Sequence, residues 1–231
     1  TPAYRAARAY LCRIGLGPAA VDAGLRRWGG DTEAIVAADP YILMDLPRVG
    51  WTIADGVASR LGITGADPRR LRAAGVYALR SAAQDGHCWI DEAALADAGR
   101  GAQAGLASRG LAGAMAAAGL GPADIAQGLD LACVPRDLDD DEAPRAPVTC
   151  DAGRYYLTDL LVAECDVAAD LRRIAGATVA AVEVTDADVA GLDPDQDRAV
   201  RAAAIGAVVV LTGGPGTGKT HTSRAILAVV R

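Results

Sequence analysis

One short segment of the chain has residues whose types and spacing fit phosphate binding. Gly213–Thr220 reads G-G-P-G-T-G-K-T and matches the pattern G-x-x-x-x-G-K-[ST]. Glycines let successive backbone N–H groups curl around a phosphate chain, and a helix that starts there adds its positive dipole end. Lys219 is the only lysine among the 23 Lys and Arg residues. We interpret the segment as a nucleotide phosphate loop rather than as a glycine-rich turn.

The residues of this loop have distinct expected roles. The Lys219 ammonium would reach the β- and γ-phosphates, and the Thr220 hydroxyl would ligate Mg²⁺, which makes these two the candidate catalytic residues. The expected nucleotide-binding residues are Gly213, Gly214, Pro215, Gly216, Thr217, Gly218, Lys219, Thr220 and His221.

A further polar residue, Gln196, has two interpretations. It lies three residues after Asp193, the expected N-cap of a helix, so its amide could return to the cap as in a capping box. It also lies 17 residues before Gly213, where an amide that donates and accepts could face an adenine edge. From spacing alone, both interpretations stay open.

Local patterns predict the elements that position these groups. Asp193-Pro194 predicts the start of a helix that runs to about Ala204. The run A-V-V-V-L at Ala207–Leu211 predicts a parallel strand covered on both faces. The phosphate loop would connect this strand to a second helix.

The N-terminal part contains an internal repeat at an offset of 35 residues, seen when Leu11–Ala23 is set beside Leu46–Ala58. Each copy predicts a helix, a tight glycine turn and a second helix, with the turns at Ile14–Pro18 and Val49–Thr52. Thr52 is expected to cap the helix that follows the second turn.

These two helix-hairpin-helix turns are candidate contacts for a DNA backbone. A glycine turn at a helix start exposes N–H groups that bind a phosphate without reading the bases. Residues 1–75 hold 10 arginines against 7 acidic residues, whereas the whole chain has a net charge of −6. The alternative is an ordinary helical repeat, although two copies are few for a solenoid. The candidate DNA-binding residues are Arg13, Gly15, Gly17, Arg48, Gly50 and Thr52.

The middle of the chain predicts a small winged-helix-like α+β unit. Gly119–Ala123 repeats the G-L-G-P-A of the first turn and is interpreted as a further helix start rather than a third hairpin. Asp137–Pro147 is expected to be a solvated acidic loop. The predicted elements are helices at Arg69–Ala83, from Asp91, from Pro122 and at Tyr155–Ile174, with a strand in Leu131–Val134.

Composition excludes several classes of protein. The five cysteines form no C-x-x-C pair and there are only two histidines, which argues against a disulfide framework or a histidine-rich metal centre. No run approaches the roughly 18 apolar residues of a membrane span. We expect a cytoplasmic protein from a bacterium with a G+C-rich genome, because alanine, glycine and arginine dominate the sequence.

Together these motifs resemble one family. The paired hairpins are followed by D-G-H-C-W-I, L-D-P-D-Q-D-R-A-V and G-G-P-G-T-G-K-T, and the second hairpin lies in P-Y-I-L-M-D-L-P-R-V-G-W-T-I-A-D-G-V-A-S-R-L-G-I. This order closely resembles the N-terminal half of stand-alone RecD-like DNA helicases, those related to RecD and TraA. The resemblance runs from about Tyr10 to Arg231 and is weakest across residues 99–150.

The resemblance implies a superfamily 1 motor that couples hydrolysis of ATP, with Mg²⁺, to 5′-to-3′ translocation on single-stranded DNA in repair or recombination. It implies a helix-hairpin-helix region at 1–65, a winged-helix-like domain at 66–175 and the start of a RecA-like α/β domain at 176–231. Gln196 matches the adenine-reading glutamine of the family. The second hairpin departs from the family pattern, since Thr52 takes the second glycine position.

The resemblance also implies groups that would lie beyond Arg231, namely a second acidic motif, an arginine finger and a second motor domain. We therefore expect a fragment that binds single-stranded or junction DNA and does not turn over ATP by itself. Two alternatives stay open: a non-catalytic DNA-binding adaptor with a nucleotide switch, and another P-loop ATPase of DNA repair.

Overall fold

A computed structural model describes residues 2–101, 109–134, 147–178, 180–206 and 208–230. The acidic loop expected at Asp137–Pro147 lies outside these residues except for Pro147. The chain forms two compact units, Thr1–Leu161 and Val162–Arg231, and each is described by itself. Within the described residues, no helix is long and apolar enough to cross a membrane.

The first unit is mainly helical. Several of its helices begin at a proline, namely Pro2, Pro18, Pro68 and Pro122. Asp39 and Asp67 accept hydrogen bonds from the N–H groups two residues ahead. The described elements are α1 (Pro2–Arg13), α2 (Pro18–Trp28), α3 (Thr32–Ala38), α4 (Trp51–Arg60), α5 (Pro68–Gln84), α6 (Glu92–Ala98), α7 (Arg109–Ala118) and α8 (Pro122–Ala132), with 3-10 helices at Gly29–Asp31 and Pro40–Asp45.

A small sheet completes the first unit, in the order β1-β4-β3-β2. The pair β3–β4 is an antiparallel hairpin, β1 joins β4 antiparallel and β2 joins β3 in parallel. Ala152 and Gly153, at φ +49° and +76°, form the tight turn of the hairpin. The strands are β1 (Trp89–Ile90), β2 (Cys133–Val134), β3 (Val148–Asp151) and β4 (Arg154–Leu157).

The helix predicted at Tyr155–Ile174 is wrong at its start. Residues 154–157 form β4, and α9 begins only at Thr158 and runs to Ala175. Tyr155 and Tyr156 pair in register with both neighbouring strands, β3 and β1. The periodicity of the sequence contains no information about such cross-strand partners. The helix predicted from it therefore began too early, within the residues that form β4.

An aromatic stack lies at the centre of the first unit. Tyr41, Trp51 and Tyr77 stack with ring centroids 5.5 and 5.6 Å apart. Asp55 accepts a hydrogen bond from the Tyr41 hydroxyl at 2.7 Å and two from the Arg70 guanidinium at 2.9 and 3.1 Å. Burial, followed by the hydrogen bond to Asp55, raises the pKa of Tyr41 well above its usual range. The stack and its polar edge tie α4 to α5.

Helices α5 and α8 approach so closely that their backbones touch. A Cβ placed on Gly75 would lie 2.6 Å from the Leu129 nitrogen, and one placed on Gly128 would overlap the Leu71 carbonyl. Neither position therefore has room for a methyl group. Around this crossing lie the fully buried Ile125 and Leu129.

The second unit contains most of α9 together with α10 (Pro194–Ile205) and α11 (Lys219–Val229), and the last two pack on each other. The strand predicted at Ala207–Leu211 is not formed over the described residues 208–211, and Val210 is 80% exposed there. A parallel strand needs neighbouring strands as hydrogen-bond partners, and the described part of this unit contains none.

The structure confirms the coarser expectation of a helical hairpin region followed by an α+β region with a small sheet. One hydrophobic core runs from Ala7 to Val148. The domain divisions expected near residues 65 and 175 stay predictions.

The glycine crossing generates a stability prediction. Gly75→Ala and Gly128→Ala should each lower the free energy of unfolding by about 3 kcal/mol, because the added methyl overpacks backbone. Gly113→Ala is the matched control, since this helical glycine is exposed with nothing within 4 Å. It should be neutral or stabilising by about 0.5–1 kcal/mol. Urea denaturation followed by circular dichroism measures all three, and similar values for them would contradict the prediction.

Candidate functional site

The first hairpin joins α1 to α2 by a turn in which two glycines have different roles. Gly15 adopts φ +91°, and Gly17 is the extended N-cap of α2 with Pro18 at the first helical position. The intervening Leu16 is buried. No side chain caps the start of α2. The N–H groups of its first turn are therefore available to an anion.

The second hairpin has the same geometry in a register that differs from the sequence repeat. Arg48 holds the left-handed position at φ +62°, and Gly50 is the extended N-cap of α4. The structural offset is therefore 33 residues, from Gly17 to Gly50, and not 35. The prediction that Thr52 caps this helix is wrong, because Thr52 lies inside α4. Thr52 is not the counterpart of Gly17.

Arg48 thus holds the left-handed position that Gly15 holds in the first hairpin. A left-handed backbone costs about 1 kcal/mol or more for a residue with a Cβ. Arg48 is exposed and lies two residues before Gly50, the N-cap of α4. The second turn therefore combines free helix N–H groups with a positive charge on the turn itself.

Two arginines, Arg13 and Arg60, lie near the first turn. Only Arg13 was among the candidate DNA-binding residues predicted from the sequence. Arg13 forms an exposed ion pair with Glu33 at 3.5 Å and lies over the Tyr10 ring at 5.5 Å. Arg60, from the last turn of α4, donates to the Ile14 carbonyl at 3.3 Å. Arg60 lies within the segment Pro40–Ile63 that carries the family resemblance, but its position beside the first turn arises from the packing of one hairpin on the other.

The segment Gly119–Ala123 also forms a helix, a glycine turn and a helix. Gly119 adopts φ +63°, and Gly121 is the extended N-cap of α8 before Pro122. The interpretation as a mere helix start was therefore incomplete. This turn differs from the first one, because the Gly121 N–H already donates to the Asp124 carboxylate at 2.9 Å. That carboxylate puts a negative charge at the start of α8, which disfavours an anion there.

The phosphate loop leads into α11, which begins at Lys219. Gly216 and Gly218 adopt φ +80° and +76°. A Cβ on Gly213 would lie 2.6 Å from the Thr217 hydroxyl. The Lys219 ammonium donates to the Gly213 and Gly214 carbonyls at 2.6 Å each, so it lies folded over the loop.

Gln196 forms the capping box that one of its sequence interpretations predicts, and its adenine-reading role stays a prediction. Its Oε1 accepts from the Asp193 N–H at 3.3 Å, and the Asp193 carboxylate accepts from the Gln196 N–H at 3.0 Å, which is a capping box. Its Nε2 lies 2.6 Å from the point where a Cβ of Gly218 would be. The amide thus lies against the phosphate loop while it caps α10.

A cavity of about 960 Å³ lies between the start of α10 and the loop. Its lining includes Gln196, Lys219 and Thr217, so one amide, one cation and one hydroxyl face the same space. In the described part of the chain, no group of three or more His, Cys, Asp or Glu residues could hold a metal ion. The Thr220 hydroxyl at the start of α11 is exposed.

The two glycine turns, each between two helices, define a helix-hairpin-helix domain. A comparison with protein families agrees with this class. Residues 2–89 match the family model described as the HHH domain of ATP-dependent RecD2 DNA helicase. The match covers both hairpin turns, α5 up to the sheet and the start of β1.

A curated relative extends this similarity. The chain is 29% identical over 213 residues to the ATP-dependent RecD2 DNA helicase of Deinococcus radiodurans, which covers 87% of the chain. The chain spans 28% of the length of that relative. The resemblance to RecD-like helicases, predicted from the sequence, is confirmed. The roles of the individual site residues stay predictions.

The left-handed residues of the two turns generate a second prediction. Arg48→Gly should leave the free energy of unfolding unchanged or raise it by up to about 1 kcal/mol, because glycine relieves the strain at φ +62°. Gly15→Ala is the opposite change at the equivalent position and should cost about 1–2 kcal/mol, although a Cβ there meets nothing within 4 Å. Chemical denaturation measures both. A marked loss of stability in Arg48→Gly would contradict the structural register.

Proposed function

We propose that the chain is the DNA-engaging and nucleotide-binding part of an ATP-dependent DNA helicase of the RecD type. The observation that carries the proposal is the shared geometry of the two hairpin turns, within residues that match the RecD2 HHH domain. The phosphate loop supports the ATP-dependent part of the proposal.

In this proposal the first two hairpins bind DNA through its backbone. The free N–H groups at the starts of α2 and α4 would each donate to a phosphate oxygen, and Arg13 and Arg48 would supply charge beside them. The Glu33 partner of Arg13 is exposed, so a phosphate competes for that guanidinium at little cost. Such contacts favour DNA without a base-sequence preference. The third turn stays outside the DNA site because Asp124 puts a negative charge at the start of α8.

The second unit is proposed to hold ATP. The Lys219 ammonium would exchange its two loop carbonyls for the β- and γ-phosphates, and Thr220 would complete the coordination of Mg²⁺. The bound nucleotide supplies the phosphoryl group whose hydrolysis drives a motor. Gln196 would direct its amide to the adenine edge from a helix start that its own capping bond keeps in place.

The finer assignments belong to the same proposal. Residues 66–175 would be a winged-helix-like domain, and residues 176–231 the start of a RecA-like domain. The complete motor would translocate 5′-to-3′ in bacterial DNA repair or recombination. It would act in the cytoplasm, where both DNA and ATP are present.

A salt titration tests the DNA-binding part. If two to four phosphates are contacted, the logarithm of the binding constant should fall with log salt at a slope of about −2 to −4. Arg13→Ala and Arg48→Ala should each make the slope shallower by about 1. Arg173→Ala, an exposed arginine paired with Asp170 outside the hairpin region, is the control and should change nothing. Fluorescence anisotropy with oligonucleotides of different sequence measures the slope, and strong dependence on base sequence would refute backbone binding.

A second test separates the two roles of Gln196. Gln196→Ala and Asp193→Ala both remove the capping box and should each cost about 1 kcal/mol of stability. Only Gln196→Ala removes the amide that would read adenine, so it alone should lose the preference for ATP over GTP. Competition binding with labelled nucleotide measures this preference. Retention of the preference in both variants would leave Gln196 with a capping role only.

Lys219 can be tested by nucleotide binding without any turnover. Lys219→Ala should weaken ATP binding by about 10- to 100-fold, the usual effect of losing a charge-assisted hydrogen bond. Arg224→Ala removes the same charge from an exposed position on α11 and should have little effect. Isothermal titration calorimetry measures the ATP affinity of both variants. Equal losses of affinity would show that Lys219 contributes only a general positive charge.

A further inference from the structure

One edge of the small sheet carries a partly exposed aromatic ring that the proposed function does not use. Trp89 begins β1 and is 36% exposed, whereas the next residue, Ile90, belongs to the core. Trp89 pairs in register with Tyr156. Because alternate residues of a strand share a face, Arg154 projects on the same side as Tyr156 and Trp89.

Arg154 packs directly on this ring. Its guanidinium carbon lies 4.4 Å from the Trp89 ring centroid, whereas the other cation–π contacts of the described residues measure 5.5–5.8 Å. Arg154 follows the tight Ala152-Gly153 turn, so a short hairpin positions it. The result is a guanidinium layered on an indole, at a sheet surface that is partly open to solvent.

We propose that Trp89 and Arg154 form a stacking platform for one unpaired nucleobase of single-stranded DNA. Aromatic rings and guanidinium planes are the two surfaces on which proteins stack splayed-out bases. The platform lies in the same compact unit as the two hairpin turns, Thr1–Leu161. It adds to the phosphate contacts of the proposed function, on which it rests, and it defines the substrate more narrowly as DNA with accessible bases.

Charge favours a base over a phosphate as the occupant. Asp151 is the cross-strand partner of Arg154 in the β3–β4 register, so the platform has little net positive charge to offer. An unpaired base has a neutral π-face that stacks on a ring without needing such charge. The bases of an intact duplex are paired and stacked on each other, so they cannot reach the platform. The structure thus predicts a preference for single strands that the hairpin turns alone would not produce.

Tryptophan fluorescence tests the platform directly, because stacking of a base on an indole quenches its emission. The 231-residue chain has three tryptophans, of which Trp51 is 2% exposed. A thymidine oligonucleotide should quench the emission of the chain, whereas an abasic strand of the same length and a blunt duplex should not. Trp89→Phe should abolish the quenching and Trp28→Phe should retain it. Equal quenching by the abasic strand, or quenching that survives in Trp89→Phe, would overturn the proposal.

Affinity measurements give a second, independent readout. Trp89→Ala should weaken binding of the thymidine oligonucleotide about tenfold, and Trp89→Phe should weaken it much less because a ring remains. Arg154→Ala should give a smaller loss than Trp89→Ala. The Trp89→Ala loss should be the same at low and high salt, since stacking releases no counterions. Unchanged thermal melting temperatures of these variants would show that the sheet still folds.

The outcomes separate this inference from the proposed function. If Trp89→Ala binds like the unaltered chain while Arg13→Ala and Arg48→Ala still reduce the salt slope, the platform is wrong and hairpin binding stands. If Trp89→Ala loses affinity only for single strands, the platform is supported. If no DNA binds the unaltered chain at any salt concentration, the proposed function fails and the platform fails with it.

Discussion

The backbone-to-backbone contact between Gly75 and Gly128 is the constraint on which the first unit depends. Two helices can approach this closely only where neither has a side chain, and both glycines lie at the crossing of α5 and α8. This contact makes α5 the central helix of the unit, since it also packs against α4, α7, β1 and β4. The hairpin region and the sheet are therefore joined through one helix. A shift of α5 relative to α8 would move both at once.

The polar groups around Asp55 attach the second hairpin to this centre. Asp55 lies on α4 and binds Tyr41 and Arg70, and Arg70 also donates to the Ala118 carbonyl at 2.8 Å, at the end of α7. Hydrogen bonds to ionised groups that are shielded from water are stronger than exposed ones. This network connects the turn that contains Arg48 to two further helices. It gives the hairpin a fixed orientation without requiring any ligand.

The phosphate loop shows the opposite arrangement, because its main cation is held only by the loop itself. The Lys219 ammonium binds two carbonyls of exposed glycines, and Thr217 donates to one of them at 2.9 Å. In the proposed function, phosphate oxygens would replace these carbonyls as the partners of the Lys219 ammonium. The neighbouring Gln196 is held in position by its bond to the cap of α10.

The sequence by itself determined the local features of this protein. It predicted the glycine loop Gly213–Thr220, the cap at Asp193, the helix start at Pro122 and, within one residue, the helix that follows Asp67-Pro68. Capping and glycine turns depend on residues within a few positions. The sequence also indicated the resemblance to RecD-like helicases, because the order of the motifs can be recognised along the chain without knowledge of packing. Its errors concerned Thr52, the start of α9 and residues 208–211.

Only the tertiary structure decided the features that join distant residues. The repeat of the hairpins was misaligned by two residues, because matching letters placed Gly15 beside Gly50 while the backbone conformation pairs Gly15 with Arg48. Arg60 beside the first turn, Arg154 on Trp89 and the glycine crossing were likewise absent from any local pattern. Each arises from contacts between segments far apart in the chain. Periodicity and spacing describe neighbours along the backbone, whereas packing in three dimensions determines which of these segments meet.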